Sequence, residues 1–431
     1  MAGRRLLLLV ILTHNYATLA FDISNETQLR SDLLTNYSLK SRPDAVTAVN
    51  LVFNIITINE LVTRTQTFSV SGYFTVVWND TRLKWDKKQY NNIAFFFSDE
   101  TEIWRPSLVV RNAIDDLDVI ANDNIPLRVN DVGEIYWNPP GIYKTHCDID
   151  ITYYPFDSQE CSVVVQSWGY NLRELDLFKF GSGVDTTDFE RNGEWDLIGA
   201  FSEREERTHD VDSETYAAVS FVFKLQRKPD YYGVNIILPV VVLSILSALV
   251  FVLPPDSGEK MGYSLTVLLS FAVFLTLIAD RMPTTSRDTS YMAVYLSVIM
   301  CLSGMSVLLT IFVLDLNFRE DEVPPWLDHV TNTIIMPLVC VRGCQRKSTS
   351  TAVSDERRLR NIKVRPATRK EADSDEEPTV REPSAKVRAE LTWKDIARTV
   401  DALMFRIYLI IIVAMSTILF SILGTQASTS K

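Results

Sequence analysis

The sequence predicts an all-β, immunoglobulin-like sandwich followed by a transmembrane four-helix bundle. From about residue 45 to residue 228, apolar and polar side chains alternate with a period of two, which is typical of half-buried strands. Beyond this part, four long stretches contain no charged side chain: residues 231–253, 261–279, 289–314 and 407–430. A helix needs about 20 apolar residues to cross a bilayer, so each stretch is a candidate span.

The alternation is clearest in two segments of the first half. The side chains expected to face the core are Phe68, Val70, Phe74, Val76 and Trp78 in one segment, and Val219, Phe221, Phe223 and Leu225 in the other. Because turn-rich pieces, and no helical patterns, separate such segments, two packed sheets are expected. A short helix within residues 21–40, capped by Asn25, is expected before the first strand.

The first 20 residues are typical of a secretory signal peptide. Arg4 and Arg5 precede an apolar stretch at residues 6–12 that is too short to span a bilayer. A buried N-terminal helix is the alternative. Three glycosylation sequons fit a segment outside the cell, at Asn25, Asn36 and Asn79.

Only two of the five cysteines, Cys147 and Cys161, lie before the first candidate span. In an oxidising compartment, two cysteines without a competitor are expected to pair. A loop with 13 residues between its cysteines gains roughly 3 kcal/mol of stability from such a bond. Taken alone, this spacing also suits an ordinary structural disulfide.

The composition excludes several classes of function. The net charge of −11 argues against nucleic-acid binding, which needs a basic surface. Neither an enzyme nor a metal or cofactor site is expected, because no cluster of Ser, Asp, Cys and His stands out. The four histidines are scattered along the chain, at His14, His146, His209 and His329.

The candidate spans and the signal peptide together predict the topology. With an outer N-terminal domain, four spans return the C-terminus to the outside, and the long basic loop before the last span lies inside. That loop begins with a short interfacial helix near Trp326, continues through a polar, disordered stretch, and ends in a helix leading to the last span. The expected divisions are 1–20 (signal peptide), 21–230 (extracellular β-sandwich), 231–314 (three spans), 315–400 (cytoplasmic loop), 401–424 (last span) and 425–431 (extracellular tail).

Several motifs resemble those of the Cys-loop receptors, a family of pentameric ligand-gated ion channels. Cys147 and Cys161 enclose Tyr-Pro-Phe-Asp at positions 154–157, which resembles the family's namesake loop. Trp78-Asn79-Asp80 with Leu83 and Trp85 resembles an early strand motif of the family, and Trp104-Arg105-Pro106 resembles its Trp-x-Pro element. Gly258-Glu259-Lys260 and Asp280-Arg281-Met282-Pro283 resemble the nicotinic, cation-conducting branch, and the match as a whole is closest to nicotinic acetylcholine receptor subunits of invertebrates. The resemblance implies a homo- or hetero-pentamer in the plasma membrane that opens for a small-molecule agonist.

The second candidate span carries a mixed polar and apolar stripe. Residues three or four positions apart share one helical face, here Glu259, Gly262, Thr266, Leu269, Val273, Thr276 and Asp280. Such a stripe suits either a water-filled pore or a helix–helix packing face. The resemblance favours a pore for monovalent cations, with carboxylate rings at Glu259 and Asp280 and an apolar constriction at Leu269 and Val273.

The resemblance also implies an aromatic ligand site between neighbouring outer domains. Trp168 and Tyr216 match its principal face, Tyr73 matches its complementary face, and Tyr170 lies beside Trp168. Arg111 stands where the nicotinic pattern has a tyrosine, and the capping loop near Asp210 lacks the two adjacent cysteines of principal subunits. An arginine there would repel acetylcholine unless it pairs with Asp115, Asp116 or the acidic residues Glu205 and Glu206.

The same resemblance implies how the outer domain would control the pore. Four coupling residues are expected in the loop between the cysteines: Tyr154, Pro155, Phe156 and Asp157. Arg227, at the end of the last strand, and Pro283, after the second span, are expected to complete the set. An Arg227→Gln chain is expected to lose gating while still reaching the cell surface. A non-conducting accessory subunit is the main alternative, and an anion-selective relative is another that Glu259 disfavours.

Overall fold

The computed structural model describes residues 23–115, 117, 119–120, 125–210, 213–282, 289–339 and 392–429. Outside these residues lie the expected signal peptide at 1–20, the whole polar stretch at 345–382 with its flanks, and Pro283.

Two sheets form the first domain, as the alternation predicts. The first sheet has the order β3-β5-β6-β2-β1-β9, with β7 also pairing with β2, and the second has the order β10-β11-β8-β4. The strands are β1 (Thr47–Val62), β2 (Thr67–Asn79), β3 (Phe95–Ser98), β4 (Leu108–Val110), β5 (Leu127–Asn130), β6 (Glu134–Trp137), β7 (Pro140–His146), β8 (Ser158–Ser167), β9 (Leu175–Asp185), β10 (Trp195–Thr208) and β11 (Thr215–Arg227). Neighbouring strands are antiparallel except β1 and β9.

Aromatic rings from both sheets meet in the core between them. The Phe53 ring centroid lies 5.0 Å from that of Phe74 in the same sheet, and 5.9 and 5.7 Å from those of Phe221 and Phe223 in the other. All nine side chains predicted to face the core are buried. The period of two is therefore confirmed as the pattern that builds the sandwich.

The expected helix before the strands is α1 (Ile23–Leu34), which buries Leu29 against the sandwich. Asn25 lies within the helix, so its prediction as the N-cap is wrong. Among the sequon residues, Asn36 and Asn79 are exposed and Asn25 is half-buried. Cys147 and Cys161 form the predicted disulfide.

Four helices among the described residues are long and apolar enough to cross a membrane. They are α2 (Asp230–Val252), α3 (Lys260–Ala279), α4 (Tyr291–Asn317) and α6 (Trp393–Thr429). A widened π turn at Gly233–Ile237 precedes Pro239 in α2. Proline cannot donate to the preceding turn, so a local π adjustment lets the span continue past it.

A shorter helical segment, α5, lies between α4 and α6 in the chain. It consists of three pieces, Pro325–Val330, Thr331–Ile335 and Met336–Val339. Trp326, Ile334 and Leu338 are exposed on it, whereas Thr331 is fully buried. This distribution fits the interfacial helix that the sequence predicts near Trp326.

One glycine is required by the aromatic core. A Cβ atom on Gly72, in β2, would lie 2.4 Å from the Asn54 carbonyl oxygen and 2.8 Å from the Phe53 ring. We expect Gly72→Ala to destabilise the outer domain by about 1–3 kcal/mol, because overpacking displaces the ring or the strand. Thermal unfolding of the detergent-solubilised full chain measures the loss.

Gly193→Ala is the matched control, because nothing lies within 4 Å of the Cβ position there. Equal thermal stability of the two variants would contradict this account of Gly72.

Candidate ligand face, domain junction and pore helix

The outer face of the second sheet brings together two of the predicted ligand residues. Ala218 in β11 pairs with Gln166 in β8. Tyr216 lies two residues from Ala218 on the same face of β11, and Trp168 directly follows the end of β8, two residues from Gln166. Trp168 is 58% exposed, and its backbone N–H donates to the Ser107 carbonyl oxygen at 3.0 Å. The backbone is thus held while the indole faces solvent.

An ion pair crosses the same face. The Arg111 guanidinium lies 3.3 Å from the Glu205 carboxylate and 3.4 Å from the Gln166 amide oxygen. Ala218, whose Cα partners are Gln166 and Glu205, lies between them and is fully buried. Arg207 lies 3.5 Å from the same carboxylate. Glu205 therefore offsets the charge that Arg111 brings to this face.

The pairing of Arg111 distinguishes between its expected partners. It contacts Glu205, whereas Asp115 is paired with Lys144 at 2.6 Å. Glu206 pairs with Arg204 at 2.5 Å, and Asp116 lies outside the described residues. The expected salt bridge to the acidic strand is therefore present.

The other two predicted ligand residues lie elsewhere in the chain. Tyr73 belongs to β2 of the first sheet, paired with Asn54 and Pro140, so one chain does not bring it beside Trp168. Tyr170 is half-buried, with its ring 6.4 Å from that of Trp104 and the Arg42 guanidinium 5.7 Å from its centroid. In the single chain, Tyr170 packs against the domain rather than lining the exposed face.

The junction between the two domains is built around a buried arginine. Arg227 ends β11 and is 2% exposed, with Nε and Nη2 donating to the two Asp157 carboxylate oxygens at 2.7 and 3.1 Å. Its Nη1 donates to Glu194 at 2.9 Å and to the Tyr232 hydroxyl at 3.0 Å. The Trp195 ring lies 4.2 Å from the guanidinium. One side chain thus connects the disulfide loop, β10 and the start of α2.

The surroundings of Arg227 keep it charged. Burial by itself lowers the pKa of the guanidinium, but the hydrogen bonds and charge of Asp157 outweigh burial and raise that pKa above its usual value. Burial also raises the pKa of the neighbouring Tyr154 phenol, which stays neutral. Arg227 is therefore positively charged at all physiological pH values.

Loops of the outer domain contact the membrane helices directly. The Thr152 carbonyl oxygen accepts from the Tyr291 backbone N–H at 3.1 Å, at the start of α4. The Thr63 hydroxyl, between β1 and β2, donates to the Arg281 carbonyl oxygen at 2.8 Å, just after α3. Pro155 is buried and Phe156 half-buried within the disulfide loop. These contacts join the outer domain to the ends of the second and third spans.

The α3 helix has two opposite stripes. All seven residues of the predicted pore face are exposed in the single chain, including Leu269 at 65% and Val273 at 52%. The opposite stripe, with Ser264, Val267 and Phe271, is buried by the chain's own bundle. The mixed polar stripe is thus the one that the chain's own helices leave uncovered.

Comparison with known proteins assigns the family. Residues 26–229 match the neurotransmitter-gated ion-channel ligand binding domain, and residues 236–388 match the transmembrane region of the same channels. The chain belongs to the neurotransmitter-gated ion-channel family. Its members are ligand-gated channel subunits of the plasma membrane, are not enzymes in general, and are expected to form pentamers.

Individual relatives of this channel chain are nicotinic receptor subunits. The neuronal acetylcholine receptor subunit alpha-6 of Homo sapiens is 32% identical over 333 residues, covering 74% of this chain and 66% of that protein. The acetylcholine receptor subunit beta of Xenopus laevis is 33% identical, covering 74% of this chain and 68% of that protein. The alpha-type subunit acr-16 of Caenorhabditis elegans is 34% identical, covering 70% and 62%. The alignments thus span about two thirds of these relatives.

Sequence reasoning missed part of this candidate ligand face. The His209 ring lies 4.9 Å from the Tyr216 ring, and Arg207 is the Cα partner of Tyr216 in β10. Gln166 holds the Arg111 guanidinium. Residues that pair directly across two antiparallel strands share a face, as do residues two apart along one strand. Arg207 pairs with Tyr216, His209 follows Arg207 by two residues, and Gln166 pairs with Ala218, so the strand register is the signal that could have found these three.

The burial of Arg227 changes what its replacement should do. We expect Arg227→Gln to leave the buried Asp157 carboxylate unpaired and to destabilise the channel chain by roughly 3–5 kcal/mol. Fewer chains should then reach the cell surface, contrary to the expectation from sequence alone. Surface biotinylation and thermal unfolding of the full chain measure this loss.

Lys228→Gln is the matched control, since Lys228 pairs with Asp196 at 3.2 Å in a partly exposed position. Its loss should cost at most about 1 kcal/mol. Surface amounts that fall equally in both variants would contradict a special role for the buried arginine.

Proposed function

We propose that this chain is a subunit of a ligand-gated cation channel whose pore is lined by α3. The observation that supports this most is the uncovered stripe from Glu259 to Asp280, opposite a stripe that the chain's own bundle buries. Five chains around an axis would convert each exposed position into a ring facing water. A packing face for a neighbouring helix is the alternative for the same stripe.

The charges on this stripe favour monovalent cations. Glu259 precedes the first turn of α3 and Asp280 follows its last turn, and both are exposed. Rings of carboxylates concentrate cations at the two mouths of a pore, while an apolar constriction such as Leu269 with Val273 closes by dewetting. Arg64 lies 3.9 Å from Asp280 and offsets part of the outer charge, so Glu259 carries most of the expected selectivity.

Replacing Glu259 tests the selectivity. For a purely cation-selective pore, tenfold dilution of external salt shifts the reversal potential by about 59 mV. We expect Glu259→Ala to shrink this shift toward zero, because the inner ring loses its charge. Patch-clamp recordings of the expressed chain measure the shift.

Glu322→Ala is the control for this experiment, since Glu322 is an exposed carboxylate on the inner side but off α3. An unchanged shift in Glu259→Ala would remove Glu259 from the selectivity mechanism. An anion-selective relative would show the opposite sign of shift in the unmodified chain.

We propose that the ligand binds between neighbouring outer domains. Trp168 and Tyr216 would supply aromatic surfaces from one chain, and Tyr73, on the other sheet, would supply one from the next chain. The Arg111–Glu205 pair lies on the first of these surfaces. A ligand cation would therefore meet a neutralised ion pair where the nicotinic pattern has an aromatic ring.

Replacing Arg111 tests this account of the ligand face. We expect Arg111→Tyr to strengthen acetylcholine binding by roughly 2- to 30-fold, because the change adds a cation–π surface and leaves the Glu205 carboxylate to attract the ammonium. Displacement of labelled acetylcholine from surface-expressed chains measures the affinity.

Arg207→Gln is the matched control, because Arg207 also contacts Glu205 but is 60% exposed. If Arg111→Tyr bound acetylcholine no better than this control, Arg111 would not determine ligand preference.

The ligand signal would reach the pore through the junction. Asp157 and Arg227 hold the disulfide loop on β11, and that loop contacts Tyr291 of α4 through Thr152. Thr63 contacts the residue after Asp280. Closure of the ligand face would bias a two-state pore through these contacts and the segment around Pro283.

A non-conducting accessory subunit is the second candidate function. The arginine at position 111 and the capping loop without adjacent cysteines favour it, because both depart from the principal-subunit pattern. Expression of this chain alone and together with a nicotinic principal subunit separates the two. Current from the chain alone supports the channel, whereas current only in the mixture supports the accessory role.

A further inference from the structure

A buried ion pair joins the pore helix to the last helix. Lys260, the first residue of α3, is 0% exposed, and its Nζ lies 2.5 Å from the Asp401 carboxylate on α6. Charged side chains are rare within membrane bundles, where they are paired and tied to function. This pair belongs neither to the proposed pore stripe nor to the ligand face.

The ammonium lies between α2 and α6. The Phe251 ring, at the end of α2, lies 5.9 Å from Lys260 Nζ and 4.9 Å from the Tyr408 ring of α6. Lys260 also heads the buried stripe of α3, four residues before Ser264 and seven before Val267. The first turn of α3 is therefore anchored on the side that faces away from the proposed pore.

Glu259 is the immediate neighbour of this anchor. Gly258, in a left-handed turn with φ of +70°, leads the chain into the helix, and Glu259 is exposed. Consecutive helical residues point about 100° apart, so holding Lys260 inside the bundle keeps Glu259 turned out of it. We propose that Asp401 is a positioning residue for the Glu259 carboxylates that would form a ring in the pentamer. Asp401 acts through Lys260, whose ammonium it holds inside the bundle. The proposal rests on the proposed cation-channel function.

Neutralising Asp401 would change the charge at the inner mouth as well as the rotation of the helix. An unpaired lysine at a membrane interface extends its flexible stem until its ammonium reaches water. In the proposed pore, the exposed side of α3 beside Glu259 would face water. The released ammonium would then offset the carboxylate of its own chain, and each of the five inner carboxylates in a pentamer would lose attraction for cations.

Single-channel recording of four full-length chains tests this inference. In Asp401→Asn we expect the conductance for inward cation current to be at least about two-fold lower than in the unmodified channel, because local cation concentration follows the charge at the mouth. In the double variant Lys260→Met with Asp401→Leu, no ammonium remains to be released. The two apolar side chains fill the site instead. Its conductance should return to near the unmodified value.

Asp395→Asn is the matched control. Asp395 lies on the same helix and accepts from the Thr392 hydroxyl at 2.7 Å instead of contacting Lys260. Its conductance should match that of the unmodified channel. Surface amounts of every variant are measured in parallel, because a merely structural role for Asp401 lowers the number of channels without changing the conductance of each one.

The outcomes distinguish the positioning role of Asp401 from the cation-channel function on which it rests. Lower conductance in Asp401→Asn, with recovery in the double variant, supports the positioning role. Unchanged conductance in Asp401→Asn, or a loss that persists in the double variant, overturns it while leaving the cation channel in place. An unmodified chain that reaches the surface without passing current, alone or with a principal subunit, overturns the proposed function and the inference together.

Discussion

The buried pair of Arg227 and Asp157 is the interaction on which the connection between the two domains depends. It joins the end of the last strand to the disulfide loop, and Tyr232 extends it into the first span. Both charges are 2% exposed, so each depends on the other for compensation. The pair therefore fixes the disulfide loop to the end of β11.

Basic side chains held by distant carboxylates recur along the chain. Arg111 is held by Glu205 on the ligand face, and Lys260 is held by Asp401 at the inner end of the bundle. How deeply each ion pair is buried determines whether it mainly changes the local charge or holds structural elements together. The partly exposed pair on the ligand face is screened by water and mainly sets the local charge, whereas the two deeply buried pairs fix the geometry of whole elements.

The ligand face combines a family pattern with a local departure from it. Trp168 and Tyr216 share the face that the nicotinic resemblance implies, but Arg111 and Glu205 occupy the surface beside them. Glu205 offsets the charge of Arg111, and an ion pair stands where the nicotinic pattern has an aromatic ring. A ligand suited to it would gain less from cation–π contacts than acetylcholine gains from a full aromatic box.

The amino-acid sequence by itself determined the two-sheet sandwich, the four spans and the stripe of α3, because each follows from a local period or length: two for strands, three to four for helices, about 20 for spans. It also determined the disulfide, because Cys147 and Cys161 have no competing cysteine before the first span. It could not determine which of several acidic residues pairs with Arg111, that Tyr170 packs against Trp104 and Arg42, or that Lys260 meets Asp401. The tertiary structure alone decided these, because such contacts join residues far apart in the chain, and only the register of the strands and the packing of the helices brings their side chains within reach of one another.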